Sequence, residues 1–421
     1  MTTGKYGFRT YDVSDPTSPQ LIGSFQPPEV LGANGYWQDE DMEIDVKRKL
    51  IIGALDPRHD DVDQVSCPGI GTASAKTRNP KCRSGFYVIS YADPEHLEQV
   101  GPFEPGGRGD GRPIWVTDLR DAKHPKTFPD PIDLGRNDGL TDYSHDVDVD
   151  AQGFAWISGR GGLLGYATHG TWRDPRTDAW RRATPWDPVL VAGGGLPGGD
   201  DGVAQPQTDF IHNSTRPVGG RVRAAGVPKD HVALMTEEDF TEPCDQGGRI
   251  VAADITSSLG GEGAASSTPE HPFRMTALDS FHPARNAPDT SSTQLPDCSA
   301  HYFELSGSTL AAAWYGEGLR IIDASDARDL RQVGYYYVTG TDPATNPSSL
   351  SWDTAWRGDL VYLFDMDRGI EILRLKGGPL RSARLATVRE PARRADRLAA
   401  VPVRASGASA TLICPLFIAP S

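Results

Sequence analysis

The segment EGLRIIDASDARDLRQVGYY, residues Glu317–Tyr336, contains the pattern that decides how the chain folds. A glycine precedes an apolar strand, an Asp-x-Ser-Asp turn follows it, and a second short strand ends the unit. Two other segments match this pattern: GFRTYDVSDPTSPQLIGSF at Gly7–Phe25 and SGFYVISYADPEHLEQVGPF at Ser84–Phe103. A hairpin that recurs in this way predicts a repeat architecture.

Looser copies of the hairpin lie at Gly111–Leu134, Gly247–Ser258 and Arg368–Gly377. Several copies follow another pair of strands, for example KLIIGALD at Lys49–Asp56 and TLAAAWYGEG at Thr309–Gly318. Each complete unit therefore predicts four antiparallel strands. Because one such sheet cannot bury both of its faces alone, we expect the sheets to pack radially as the blades of a β-propeller.

We predict an all-β fold, with one β-propeller of about seven four-stranded blade units over residues 1–376. Two units are expected to be incomplete. The first is at the N-terminus, where Met1 falls inside a strand, so we expect a truncated first blade. The alternative is that the C-terminal segment supplies the missing strands and closes the ring. The second is at Phe103–Val116, where an outer hairpin follows the previous blade without an inner strand pair. Residues 377–421 leave the repeat pattern, and we expect them to form a tail of low order.

The composition of the chain limits its partners. The 421 residues include 46 glycines and 34 prolines, which favours turns and short strands over long helices. The chain has 42 Lys and Arg against 57 Asp and Glu, a net charge of −15, which argues against nucleic acid as a partner. No apolar run approaches the roughly 20 residues of a membrane span.

The strand GLRIIDASD and its copies resemble the LVIVD repeat, which occurs in uncharacterised and often secreted bacterial β-propeller proteins. The resemblance covers roughly residues 1–376 and implies a propeller fold more than any activity. It also implies an extracellular or cell-surface location. Because the chain has no signal peptide at Met1, we expect that segment to be lost with the missing N-terminus. The layout is distantly similar to selenium-binding-protein-type propellers, which carry channel-lining histidines.

Five cysteines are present, and none forms a Cys-x-x-Cys motif. We predict one disulfide between Cys67 and Cys82, another between Cys244 and Cys298, and a free thiol at Cys414. Two such pairs on loops would indicate an oxidising compartment. Inert free thiols are the alternative.

Alignment of the innermost strands places a polar side chain at the entry of each strand. These residues are His145, His212, His301, Asp353, and Asp41 or its neighbour Glu40. In a propeller the entries converge on one mouth of the channel, and three imidazoles with two carboxylates are a metal-site composition. Imidazole ligands favour Zn, Cu or Fe as the bound transition metal. A polar, water-filled channel without an ion is the alternative.

Two further carboxylates, Glu237 and Glu238, follow a strand in the segment ALMTEEDF. We expect both to lie at a hairpin rim. Glu237 could at most form a hydrogen bond to a metal ligand without binding the metal itself.

The sequence is compatible with two functions. The first is a monomeric, secreted or surface scaffold that binds a protein or glycan across its rim loops. The second is a metal-dependent oxidase or hydrolase acting at the histidine-lined mouth. We favour the scaffold because no general base or nucleophile stands out in the sequence. A bound metal that is lost when the three histidines are changed to alanine would distinguish them.

Overall fold

The structure is a computed structural model of the chain. It describes residues 8–25, 42–55, 85–101, 104–105, 113–133, 143–174, 177–195, 210–239, 248–256, 259, 274–283, 299–338, 340, 348–375, 396–397 and 399–401. The regular elements of these ranges are 30 β-strands, so the prediction of an all-β fold is confirmed. In the same ranges, no helix combines the length and apolarity needed to cross a bilayer.

The chain divides into two compact units, Met1–Leu134 and Gly135–Ser421. The predicted single propeller over residues 1–376 and the predicted low-order tail remain predictions. The strands of the first unit are β1 (Phe8–Asp12), β2 (Gln20–Phe25), β3 (Met42–Asp45), β4 (Leu50–Leu55), β5 (Gly85–Ser90), β6 (Glu98–Gln99), β7 (Glu104–Pro105), β8 (Pro113–Ile114), β9 (Thr117–Asp118), β10 (Lys126–Thr127) and β11 (Ile132–Asp133).

The first unit contains one complete blade and two hairpins. Blade I is the antiparallel sheet β3-β4-β5-β6, with β7 also paired to β5. The pair β1-β2 forms one hairpin, and the pairs β8-β11 and β9-β10 together form a second, interrupted hairpin. Phe8 of the first hairpin is buried against Ile51, Tyr87 and Ile89 of blade I. Tyr87 and Ile89 are two residues apart on β5, so their side chains point to the same face of the sheet.

The second unit contains the remaining strands. They are β12 (Tyr143–Val149), β13 (Phe154–Arg160), β14 (Gly162–Ala167), β15 (Thr171–Asp174), β16 (Ala179–Arg182), β17 (Val189–Gly194), β18 (Ile211–Thr215), β19 (Val232–Glu237), β20 (Ile250–Asp254), β21 (Thr276–Phe281), β22 (Ala300–Ser306), β23 (Thr309–Trp314), β24 (Gly318–Asp323), β25 (Arg331–Tyr336), β26 (Ser351–Arg357), β27 (Leu360–Asp365), β28 (Gly369–Arg374), β29 (Asp396–Arg397) and β30 (Ala399–Val401).

These strands form four propeller-type blades in chain order. Blade II is β12-β13-β14-β17 and blade III is β18-β19-β20-β21. Blade IV is β22-β23-β24-β25 with β29 added in parallel, and blade V is β26-β27-β28 with β30 as its fourth strand. The innermost strands β12, β18, β22 and β26 follow one another as neighbours.

Each pair of successive blades in this unit shares a buried apolar core. Strand β19 shows why, since Met235 and Ala233 pack against blade II, whereas Leu234 and Val232 pack against blade IV. Alternate side chains of a strand point to opposite faces, so a strand that is apolar throughout must be covered on both sides. Trp314 is fully buried between blades III and IV.

The repeated aspartates have one structural role. In four of the turns, the first aspartate accepts a hydrogen bond from the backbone N–H two residues later, a geometry that stabilises the turn. Four such bonds are Asp12 with Ser14 (2.9 Å), Asp118 with Arg120 (2.9 Å), Asp254 with Thr256 (2.8 Å) and Asp323 with Ser325 (2.9 Å). The motif that revealed the repeat is therefore a turn signal.

The described residues contain five blades of four or more strands. The prediction of about seven units is not confirmed by this count. The two hairpins of the first unit coincide with the two units that the sequence predicts to be incomplete.

Candidate functional site

The innermost strands of blades II to V share an irregularity close to their first residue. The strand pairing shifts register between Ser144 and Asp146, between Ile211 and Ser214, between Ala300 and Phe303, and between Ser351 and Asp353. A bulge of this kind re-aims a side chain that would otherwise alternate between the two faces of the sheet. The residues that open these four bulges are His145, His212, His301 and Trp352.

The four rings lie in a continuous row. The centroids of His145 and His212 are 4.0 Å apart, those of His212 and His301 are 3.9 Å apart, and those of His301 and Trp352 are 4.1 Å apart. His212 and His301 are both 0% exposed, and His145 is half-buried. The structure thus brings together the three histidines that the sequence singled out.

Backbone carbonyls fix the orientation of two of these imidazoles. Nδ1 of His145 is 3.0 Å from the His212 carbonyl oxygen, and Nδ1 of His301 is 2.7 Å from the Trp352 carbonyl oxygen. A carbonyl only accepts, so each Nδ1 carries the proton and donates it. In the neutral form, a ring that donates from Nδ1 presents its Nε2 lone pair, which is the tautomer that binds a metal through Nε2.

A carboxylate joins the row from the second strand of blade III. Glu238 is 1% exposed, and its Oε1 lies 3.9 Å from Nε2 of His301. The hydroxyl of Tyr315 donates a 2.5 Å hydrogen bond to the same Oε1. His212, Glu238 and His301 each offer one ligand atom, and these atoms lie within 4.8 Å of one another.

The expected position of Glu238 at a hairpin rim is therefore wrong. Strand β19 runs antiparallel to β18, and the Glu238 N–H donates to the Phe210 carbonyl beside the start of β18. The end of β19 must then lie beside His212. That consequence of antiparallel pairing was present in the sequence pattern, but the polar run TEED resembled an exposed turn.

The neighbouring Glu237 belongs to a different contact. Its carboxylate accepts a 2.8 Å hydrogen bond from Nε of Arg249. Burial raises the pKa of Glu237, and the hydrogen bond from Arg249 opposes that rise. Glu237 therefore forms an ion pair across the β19–β20 hairpin.

The structure does not place Asp353 in the row. Trp352 occupies the position equivalent to the histidines, and Asp353 lies one residue later, where its Oδ1 accepts a 2.6 Å hydrogen bond from the Thr354 N–H. The prediction of Asp353 is one residue late because it selects the polar side chain of this segment, whereas blade V holds the aromatic Trp352 at the position of the histidines.

The remaining predicted residues lie outside the described ranges. They are Asp41 with its neighbour Glu40, and all five cysteines, Cys67, Cys82, Cys244, Cys298 and Cys414. Both disulfides therefore stay predictions.

The donor set fits a transition metal. Two imidazoles and one carboxylate are the protein ligands of many Zn and non-haem Fe(II) sites. Tetrahedral zinc with bonds of 2.0–2.1 Å needs ligand atoms about 3.4 Å apart, so the side chains would close inward by roughly 1 Å on binding. The hydrogen bond from Tyr315 would orient the Glu238 carboxylate, as hydrogen-bonding groups commonly do for ligating carboxylates.

Comparison with known proteins gives no family. No family model matches the chain, and no curated protein matches it. Among solved structures, the chain is similar to the extracellular domain of the putative hybrid two component system BT4673 from B. thetaiotaomicron, with a TM-score of 0.42 and 13% identity. That match covers 89% of this chain and 38% of the other, so the chain spans well under half of that domain.

Two further similarities have lower TM-scores. Sqt1 from Chaetomium thermophilum, bound to the N-terminus of the ribosomal protein L10, matches with a TM-score of 0.39 and 9% identity over 81% of this chain and 73% of Sqt1. The computationally designed Ika4 protein matches with a TM-score of 0.25 and 8% identity over 52% of this chain and 87% of Ika4. At these low TM-scores the similarities carry no argument about fold or function.

Proposed function

We propose that this protein is a β-propeller scaffold that binds one transition-metal ion between blades III and IV. The ligands are His212, Glu238 and His301, with His145 next in the row. The observation that carries the proposal is the pairing of two buried imidazoles with a buried carboxylate whose ligand atoms lie within 4.8 Å of one another. Burying ionisable groups is costly unless they are paired or coordinate a metal, and a bound cation would compensate that cost here.

The chemistry of the donors favours Zn or Fe(II) among the candidate metals. Sites with two histidines and one carboxylate leave coordination positions open for water or another ligand. Copper, the third candidate, is also bound by imidazole, and metal analysis of the purified protein distinguishes it from zinc.

Calorimetric titration of metal-free protein with Zn(II) tests the proposal. We expect one site per chain, and a loss of affinity of about 10–100-fold or more for His212→Ala, as is typical when a ligand or its support is removed. Glu238→Gln keeps the shape of the side chain and should also weaken binding. His169→Ala is the matched control, because His169 is an exposed histidine of the same unit.

Equal affinity in wild-type protein, His212→Ala and Glu238→Gln would refute the site. Circular dichroism of each variant verifies the fold, and Glu238→Gln keeps the test informative if His212→Ala does not fold.

The open coordination positions of a His₂Glu set also favour the second candidate, a metal-dependent oxidase or hydrolase. The ring packing around His301, with Trp352 at 4.1 Å and Tyr315 at 5.0 Å between centroids, favours the binding role instead. Cobalt-substituted protein separates the two. A visible spectrum that changes on adding azide indicates an open position and supports an enzyme, and an unchanged spectrum supports the scaffold.

We infer that the two hairpins of the first unit are the outer strands of two further blade units of LVIVD type, which gives seven units in total. A protein or glycan is the proposed ligand at the surface, and an exported location is proposed from the cysteine pairs. Mass mapping that finds Cys67, Cys82, Cys244 and Cys298 as free thiols would contradict that location.

A further inference from the structure

Blade II carries a hairpin in addition to its four strands. Between its third and fourth strands, β14 and β17, the chain forms the two-stranded sheet β15-β16 and then a tight turn at Thr184–Asp187. In the pairing of β13 with β14, Gly159 lies opposite Gly162 near His145, whereas Phe154 lies opposite Ala167. The extra hairpin therefore leaves blade II at the end opposite the histidine row.

One tryptophan anchors this hairpin to the blade. Trp172 packs edge-on against Phe154 of β13, with ring centroids 5.4 Å apart, and it joins the core between blades II and III. Its Nε1 donates a 2.7 Å hydrogen bond to the His169 carbonyl. The hairpin is thereby fixed in position by a packed indole.

An arginine holds the turn to the hairpin. Arg181 forms ion pairs with Asp174, which is buried, and with Asp187 at the end of the turn. The Asp187 N–H also donates to the Thr184 hydroxyl over 3.0 Å. Trp186 at the tip of this turn is 48% exposed, so the turn presents an indole from a rigid support.

The outer face of the hairpin presents a second indole beside arginine side chains. Trp180 is 72% exposed and lies directly across the strand pair from Arg173. Arg182 is exposed on the same face, two residues further along β16. Trp and Arg are the residues most enriched at the energetic centres of protein–protein interfaces.

The charge of the segment is opposite to that of the chain. Residues 171–187 contain four arginines, three aspartates and no lysine, a net charge of +1 within a chain of net charge −15. Arginine without lysine is the composition of interface cores, where the flat guanidinium binds carboxylates in a bidentate manner. Charge complementarity therefore selects a carboxylate-rich partner.

We propose that the β15–β16 hairpin and its turn are a docking surface for an acidic protein segment that contains aromatic residues. Trp180 and Trp186 supply the apolar contacts, and Arg182 binds carboxylates of the partner. This surface is independent of the metal site, because the hairpin leaves blade II at the end opposite the histidine row and the metal ligands lie on blades III and IV.

Biolayer interferometry of the full chain against an immobilised random copolymer of glutamate and tyrosine tests the proposal. We expect binding that weakens about tenfold for Trp180→Ala and for Arg182→Glu, since hot-spot truncations usually cost more than 1 kcal/mol. Trp180→Phe should retain most of the affinity. Arg331→Glu is the control, because Arg331 is a half-exposed arginine on blade IV.

Three experimental outcomes would contradict this proposal. Absence of binding to the copolymer, or equal binding by all variants, refutes the surface. Trp180-dependent binding to alginate without binding to the copolymer assigns the surface to a glycan. Trp180-dependent dimerisation in sedimentation velocity assigns it to a second copy of the chain. Because chelation with EDTA should leave copolymer binding unchanged, failure here is separable from failure of the metal site.

Discussion

The two ends of the blades in the second unit differ in what their recurring residues do. At the end opposite the histidines, the same aspartate turn recurs, as at Asp254 and Asp323, and each aspartate bonds to its own turn. At the histidine end, the equivalent position holds His145 in blade II, His212 in blade III, His301 in blade IV and Trp352 in blade V. The recurring aspartates therefore stabilise separate turns, whereas the recurring histidines meet one another in a row and are available for function.

The glycine at the start of each third strand is a recurring residue, and its replacement should have the largest effect on stability. Gly318 has φ +72°, and a Cβ atom there would lie 2.3 Å from the Tyr336 carbonyl oxygen. We expect Gly318→Ala to lower the free energy of unfolding by about 3 kcal/mol, from left-handed backbone strain together with that clash.

Gly219 is the matched control for this substitution. Its φ is +101°, but a Cβ atom there would meet nothing within 4 Å. Gly219→Ala should therefore lower the free energy of unfolding by only about 1–2 kcal/mol, which is the strain of a left-handed backbone alone. Chemical denaturation measures this loss. Equal losses for the two variants would show that the close approach to Tyr336 does not matter.

Asp365 in blade V gives a second large effect, one that depends on pH. Burial raises its pKa to about 6, although the carboxylate accepts hydrogen bonds from the backbone N–H groups of Leu350 and Arg368. Because the folded pKa exceeds the unfolded value of 3.8, the stabilisation is complete below the unfolded pKa and is lost as pH rises through 6. The shift corresponds to about 3 kcal/mol.

Urea denaturation of wild-type protein and Asp365→Asn across pH measures this effect. The stability of wild-type relative to Asp365→Asn should fall by about 2.4 kcal/mol between about pH 4 and about pH 7. A difference that stays constant over that range would mean that the Asp365 carboxyl titrates normally.

The aspartate turn should have the smallest effect. Asp323→Ala removes one hydrogen bond to the Ser325 N–H, and we expect a loss of about 1 kcal/mol. The metal affinity of this variant should equal that of the wild type, because the turn lies at the other end of blade IV. A change in zinc affinity would contradict the claim that the turn end of the blade is structural and that only the histidine end takes part in binding.

The fold was predictable because its signals are local and repeated. Alternating apolar strands, positive-φ glycines and aspartate turns recur at each hairpin, so the four-stranded unit follows from the sequence. The histidine row was predictable for the same reason, since His145, His212 and His301 occupy one register position in successive copies.

The parts of the site that occur once were not predictable in this way. Glu238 joins the row through the pairing of β19 with β18, and blade V holds Trp352 rather than the predicted Asp353 at the position of the histidines. The exposed pair Trp180 and Trp186 lies in the hairpin and turn inserted between β14 and β17 of blade II. Alignment of copies carries no information about such residues, because their positions depend on strand pairing and on side-chain packing.

Anomalous diffraction at the zinc edge, from crystals of the full chain soaked in Zn(II), tests the central claim most directly. We predict a single strong peak between blades III and IV, about 2.0–2.2 Å from an imidazole nitrogen of His212, from Nε2 of His301 and from a Glu238 oxygen. A histidine row that stays at its present spacings with no anomalous peak among these residues would contradict the assignment of this site.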